Sequence, residues 1–402
     1  MVAVFGHRAF AVYWSARFLS TFAAHFVSVA VGWHIYELTH DPLDLGLVGL
    51  FQFIPFPLLI FATGTVADRY DRRRIMAVCI AAQLVLVSGL LALVATGDAR
   101  TWPYFLILLA LGVARAFQGP ATTAMVPNLV PAEHLATAIA YNSSSWQIAS
   151  ILGPVIGGLL YGFAPFLPFA AAATALAAAA LLTTRIPPIA RIAASGGMSW
   201  QTLSAGFLYI WREKVVLGAI SLDLFAVLLG GAVALLPAYA SDILEVGPLG
   251  LGLLRSASGF GAIAVALVLA RRPIADHAGA IMLAGVAAFG LFTVVFGLSA
   301  LAWLSILALA LMGAADMLSV YIRETLIQLW TPDHLRGRVN AVNMVFIGAS
   351  NELGAFRAGV MAALIGVVPA VVVGGLGTMA VAALWARWFP TLRAIRRIDR
   401  RA

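Results

Sequence analysis

Cysteine and charge are what this chain most lacks. Cys79 is the only cysteine in 402 residues and sits inside an apolar run. That excludes a disulfide framework and a multi-cysteine metal site. Charged residues make up 10% of the chain, whereas a soluble domain carries about a quarter. No His/Cys set has metal-ligand spacing. There is no nucleophile elbow, and no glycine loop leads into Lys-Ser/Thr to cradle phosphate. The chain is therefore expected not to be an enzyme, to need no cofactor and to have no ATP site. The formal net charge of +8 invites a nucleic-acid partner. The basic residues lie in short loops between apolar runs rather than on one surface, which disfavours it.

Hydrophobic residues, by contrast, make up 62% of the chain. No water-soluble core of this length needs so many, so the composition reads as a helical protein that crosses a bilayer repeatedly. Twelve runs of roughly 20 or more residues can be laid out as spans: 10–36, 45–66, 75–96, 102–126, 135–161, 165–184, 215–240, 248–270, 279–298, 302–328, 337–365 and 367–388. Residues 185–214 form a longer linker with Pro, Gly and Ser, and 389–402 form a basic tail. The halves on either side, 1–184 and 215–388, echo each other. Glu133-His134-Leu135 follows Pro131, and Asp333-His334-Leu335 follows Pro332. Helix-end capping would also explain the triplet, but its place at corresponding connectors favours duplication. The expectation is an all-α membrane protein with twelve transmembrane helices in two pseudo-symmetric six-helix bundles. Its substrate site would lie between the halves near the midplane.

Arginine sets the orientation. With the N-terminus inside, the inner segments hold Arg69, Arg72, Arg73 and Arg74, then Arg185, Arg191, Arg212 and Lys214 of the linker, and the arginines of the tail. The outer loops hold only Arg100. Both termini are therefore expected in the cytoplasm. Trp102, Trp330, Trp385 and Trp388 sit at span ends, as interfacial anchors do.

Three motifs sharpen this reading. Gly64, Asp68, Arg69, Arg72 and Arg73 crowd the loop between spans 2 and 3. They resemble the signature loop of the major facilitator superfamily, with Asp71 where that family usually has a second Gly. In span 4, Arg115 is followed by Gln118 and Gly119, similar to a family motif in which the arginine is implicated in proton coupling. In span 5, Gly153, Pro154, Gly157 and Gly158 resemble the antiporter motif, with Ala149 replacing its first Gly. Proline there removes a backbone bond, and the glycines admit a close neighbour helix. The loop after Ala67 and the run Thr331 to Asn340 also resemble the enterobactin exporter and multidrug efflux branch.

The resemblance implies a monomeric secondary transporter of the bacterial inner membrane that exports siderophores or amphipathic small molecules by alternating access and draws on the proton gradient. The signature loop is then a conformational latch. The alternative is a transporter of the same fold not coupled to protons, moving lipid, metal ions or solute. Spans 1, 4, 7 and 10, which line the cavity in that family, all carry charge inside, while spans 3, 6, 9 and 12 carry none inside, Arg387 lying at the cytoplasmic end of span 12. Charge inside a span is costly and needs a partner or water. Asp223, Arg115, Asp316 and Glu352 are the candidates for proton coupling. For Asp223 the alternative is an ion pair with an arginine of the same half. Arg17, His25, Gln118 and Arg357 are candidates for the substrate cavity. Arg323 and Glu324, with Arg336 and Arg338, read as a cytoplasmic gate. His34, like His25, reads as a hydrogen-bonded structural group rather than a proton relay.

Overall fold

The computed structural model describes residues 2–187, 200–274 and 276–397. Arg191, Arg400 and Arg401 lie outside the described residues, as do the side chains of Asp68, Asp333 and His334. Among the described residues there are helices and no strands. This is the expected outcome for apolar runs that must satisfy their backbone internally.

The long helices are α1 (Arg8–Thr39), α2 (Pro42–Phe53), α3 (Pro55–Arg69), α4 (Arg72–Thr96), α5 (Trp102–Thr123), α6 (Ala132–Phe163) and α7 (Leu167–Thr184). They continue with α8 (Trp200–Arg212), α9 (Lys214–Gly230), α10 (Gly247–Arg271), α11 (Ala278–Leu298), α12 (Ala302–Trp330), α13 (Asp333–Ile365) and α14 (Val367–Trp388). Each predicted span has its helix. Eleven stretches among the described residues are long and apolar enough to cross a membrane. The twelfth, α13, has 33 residues but carries Asn343, Ser350, Asn351, Glu352 and Arg357 along its length.

Two spans are less regular than expected. Span 2 breaks at Ile54, ahead of Pro55 and Pro57, into α2 and α3; proline supplies no amide for the helix ladder. Span 7 stops being α-helical at Gly230 and continues as a 3₁₀ turn (Ala232–Leu235), a short helix (Leu236–Ala238) and a π-turn (Tyr239–Ile243). The linker contains a helix of its own, α8, which packs on α13. There, Tyr209 donates to the Trp330 carbonyl at 2.8 Å.

The repeat is visible in how two helices begin. Pro131 and Pro332 are the extended N-caps of α6 and α13, which have 32 and 33 residues. In the signature loop, Asp71 caps α4 by accepting from the Arg73 amide at 2.9 Å. Gly97 closes the same helix at φ 68°, a conformation glycine adopts at no steric cost.

The chain divides into two compact units. Unit 1 comprises Met1–Thr39, Phe51–Met198 and Gly247–Gly252. In it, α1 packs on α6 and α7, α4 on α5 and α7, and α3 on α5. Unit 2 comprises His40–Leu50, Ser199–Val246 and Leu253–Ala402. There α11 packs on α12 and α14, and α9 on α13 and α14. Its core joins Val216, Ala219 and Leu222 of α9 to Met282, Ile322, Leu326 and Trp385. Large apolar side chains such as Leu58, Val85, Leu181, Leu267 and Leu364 are exposed. Lipid is the solvent that suits such a surface.

Candidate functional site

The densest set of buried charge lies in unit 2. Asp223 on α9 and Arg323 on α12 are 7% and 3% exposed and form an ion pair between Oδ1 and Nη1. Arg323 Nε also stands 3.6 Å from Glu324 Oε1. Asn343 of α13 donates to that same oxygen at 3.0 Å. Asp316 lies two turns before Arg323 on nearly the same face of α12. It lines a small cavity with Asp223, Ala226, Val227, Val286, Phe289 and Ser319. One guanidinium thus serves a neighbourhood of three carboxylates. Such a guanidinium can change partners when one carboxylate is neutralised. The sequence groups Arg323 and Glu324 into a cytoplasmic gate with Arg336 and Arg338; in the structure Arg323 pairs with Asp223, the ion pair weighed as the alternative for Asp223. Arg336 is half-buried and Arg338 exposed at the start of α13. The Arg338 carbonyl lies where a methyl on Gly206 of α8 would fall.

Glu352, Arg255 and Arg357, the other charges inside the spans of unit 2, are also engaged. Glu352 lies close enough to Arg255 for electrostatic interaction. Its Oε2 would be 2.7 Å from a methyl group placed on Gly49. Arg357 donates Nε to the Leu228 carbonyl at 2.9 Å and Nη2 to the Leu229 carbonyl. Its positive charge therefore sits at the C-terminal end of α9, where the helix dipole favours a cation. This explains why the α-helix can stop there inside the protein, since the freed carbonyls have a donor. The guanidinium proposed for the substrate cavity is occupied by backbone.

In unit 1, Arg115, Gln118 and Arg17 each bond a neutral group. Arg115 Nη1 donates to Gln52 Oε1 at 2.6 Å. Gly112, one turn earlier, leaves room for the Gln52 backbone carbonyl. Gln118 Oε1 accepts from buried Gln83 at 2.6 Å. Arg17 donates to the Tyr13 hydroxyl at 3.0 Å, and that hydroxyl donates to the Thr122 carbonyl at 2.9 Å. Sequence reasoning missed Gln52, Gln83, Tyr13 and Asn343 because it followed charge. An uncharged polar residue inside an apolar run carries the same signal at lower contrast.

The signature loop splits by residue. Arg72 Nη1 donates to the Ala124 carbonyl at 2.9 Å, at the end of α5. Arg73 Nη1 donates to the Ile186 carbonyl at 2.7 Å, just past α7. These two arginines cap helix ends within unit 1, so they are more than surface charge. Arg74 is 80% exposed. Gly64 and Arg69 lie on α3, together with Asp68, whose side chain is outside the described residues.

The glycine motif on α6 is buried throughout. A methyl at Gly153 would press on His25 Cβ, and one at Gly157 on the Phe26 backbone. One at Gly158 would collide with the Pro248 carbonyl, and one at Gly252 with the Pro154 carbonyl. His25, expected in a cavity, packs directly against Gly153.

A profile of the family described as transmembrane secretion effector, within the major facilitator superfamily, matches residues 1–400. The chain belongs to that family. Among the relatives of this major facilitator protein is the enterobactin exporter EntS of Escherichia coli O81 (strain ED1a). It is 26% identical over 381 residues, 94% of this chain and 91% of that protein. Macrolide efflux protein A of Streptococcus pyogenes is 28% identical over 221 residues, 54% of this chain and 53% of that protein. That match spans about half the length of each. The solved nucleoside transporter NupG superposes with a TM-score of 0.73 at 14% identity, covering 94% of this chain and 98% of that one. A bacterial homolog of the human lysosomal transporter Spinster, inward-facing and occupied, gives 0.74 at 14% identity over 97% and 98%. At such identities the likeness shows the fold, the twelve-helix major facilitator arrangement. The protein is a multi-pass bacterial membrane transporter.

Proposed function

We propose that this protein exports amphipathic small molecules, siderophores among them, by alternating access driven by the proton gradient, with both termini in the cytoplasm. The observation that carries the reading is the Asp223–Arg323 pair beside Asp316 and its cavity. Three carboxylates around one guanidinium leave negative charge in a place where charge is costly. A proton on Asp316 or Asp223 halves that excess and frees Arg323 to shift partner. Loading and unloading of that proton then bias the packing of α9 against α12.

Supporting the direction of transport, both curated relatives named above are efflux proteins, and the α6 glycine motif fits exporters. The test is the pH dependence of transport in Asp316→Asn and Asp223→Asn. Loss of pH dependence in either variant, with substrate still bound, supports proton coupling at this cluster. A wild-type pH profile in both moves the proton elsewhere or favours the uncoupled transporter.

A further inference from the structure

A second polar cluster lies in unit 1, at the end of α1 remote from the basic loops, and no function has so far been given to it. Four contacts run in series through it. Tyr104 on α5 donates its hydroxyl to the Asp98 carbonyl at 3.2 Å. The same hydroxyl lies 3.1 Å from His34 Nε2. His34 Nδ1 lies 2.8 Å from the hydroxyl of Tyr161 on α6. Tyr161 in turn bonds Glu37 Oε2 at 2.6 Å.

Each contact needs one hydrogen. The two phenols supply two and a neutral imidazole supplies one. An ionised carboxylate and a carbonyl supply none. Three hydrogens cannot fill four contacts. We propose that His34, Tyr161 and Glu37 together form a binding site for one exchangeable proton, which supplies the fourth.

The proton has two placements. On His34 it makes an imidazolium that donates from both nitrogens, to Tyr104 and to Tyr161, while Tyr161 donates to the Glu37 carboxylate. On Glu37 it makes a carboxylic acid that donates to Tyr161, which then donates to Nδ1 of a neutral His34. The two forms interconvert by moving hydrogens along the Tyr161 bonds, so the proton belongs to the pair rather than to one residue.

Access is built in. Tyr104 and Tyr161 are buried, His34 is half-buried and Glu37 is exposed. Solvent protons reach the site through Glu37. Other titratable groups are few here. Asp98 and Arg100 are closed on each other at 2.6 Å in the α4–α5 loop. Helix α7, packed against α1, carries no ionisable residue. When the proton leaves, one of the four contacts must open: Tyr104 to Asp98, which frees the start of α5 from the α4–α5 loop, or one of the contacts that hold α1 to α5 or to α6. This site is in the other unit from Asp223 and stands whether or not transport is proton-coupled.

Glu37→Gln isolates the proton from the packing. The amide donates to Tyr161, Tyr161 to Nδ1, His34 Nε2 to Tyr104 and Tyr104 to Asp98, so all four contacts are filled with no added proton. Tyr161→Phe instead removes two contacts and the need for the fourth hydrogen. The experiment measures protons released by purified full-length protein in lightly buffered detergent between about pH 6 and about pH 9, a window that brackets histidine titration. Nitrogen-15 histidine spectra, assigned by loss of the His34 signal in His34→Gln, accompany it. Wild type is expected to release one proton more than Glu37→Gln and Tyr161→Phe, while Glu37→Gln melts like wild type and holds His34 as the neutral Nε2–H tautomer at all these pH values. Equal proton release in the three proteins would overturn the proposal, as would a His34 signal that titrates in Glu37→Gln as it does in wild type.

Discussion

At the scale of single residues, Asp223 and Arg323 form the ion pair with the most at stake. Removing one partner of a buried pair leaves an uncompensated charge, which costs about 3–5 kcal/mol. Arg323→Met should therefore lower the thermal unfolding temperature in detergent markedly. Replacing both partners with apolar residues, Asp223→Leu with Arg323→Met, should recover much of that loss while transport stays abolished. A double variant as unstable as the single one would show that the pair is not an isolated unit. Asp98 offers a contrast outside the membrane. Its hydrogen bond to Arg100 holds its carboxyl down at about 2. A lowered carboxylate stabilises the fold above its unfolded value and loses that contribution only as pH falls through the folded one. Asp98 therefore stays ionised from about pH 5 to about pH 8. Asp98→Asn should leave the pH profile of transport unchanged there; a shifted profile would mean the loop takes part in coupling.

At the scale of elements, the α6 glycines are the most testable feature. A methyl at Gly158 has nowhere to go but into the Pro248 backbone, and overpacking of this kind costs about 1–3 kcal/mol. Gly162, one turn on, has nothing within 4 Å. Gly158→Ala should destabilise, while Gly162→Ala should be neutral or gain up to about 1 kcal/mol from helix propensity. Equal behaviour in a melting assay would remove the close-packing explanation of the motif. The helices themselves were legible because an apolar run of membrane length has few alternatives in lipid. Their interruptions were less so. Pro55 and Pro57 mark the break in span 2, but the run stays apolar through them, so hydropathy reads straight across. The end of α9 was harder still, because its carbonyls are satisfied by Arg357, more than a hundred residues away. Arg17 and Arg115 were visible as charges in apolar runs. Their partners Tyr13 and Gln52 were not, since a neutral donor or acceptor contrasts little with its surroundings. His34 was read from its residue type alone as structural, whereas its two tyrosines and Glu37 come together only in the fold.

At the scale of the whole molecule, the two units solve the same problem differently. In unit 1 the half-buried arginines of the spans bond neutral oxygens, Gln52 for Arg115 and Tyr13 for Arg17. Unit 2 answers Arg323 with carboxylates. On the proposed reading, proton-dependent work falls to unit 2, and the skew of loop arginine and lysine toward one side is the sequence ground for expecting both termini in the cytoplasm. The most direct measurement is proton flux in liposomes holding the purified protein and a pH-sensitive dye. Siderophores and amphipathic drugs are added outside, one at a time. Proton movement triggered by at least one compound, and lost in Asp223→Asn, is the expected result. Substrate crossing the membrane with no proton movement at any pH would contradict proton-coupled export.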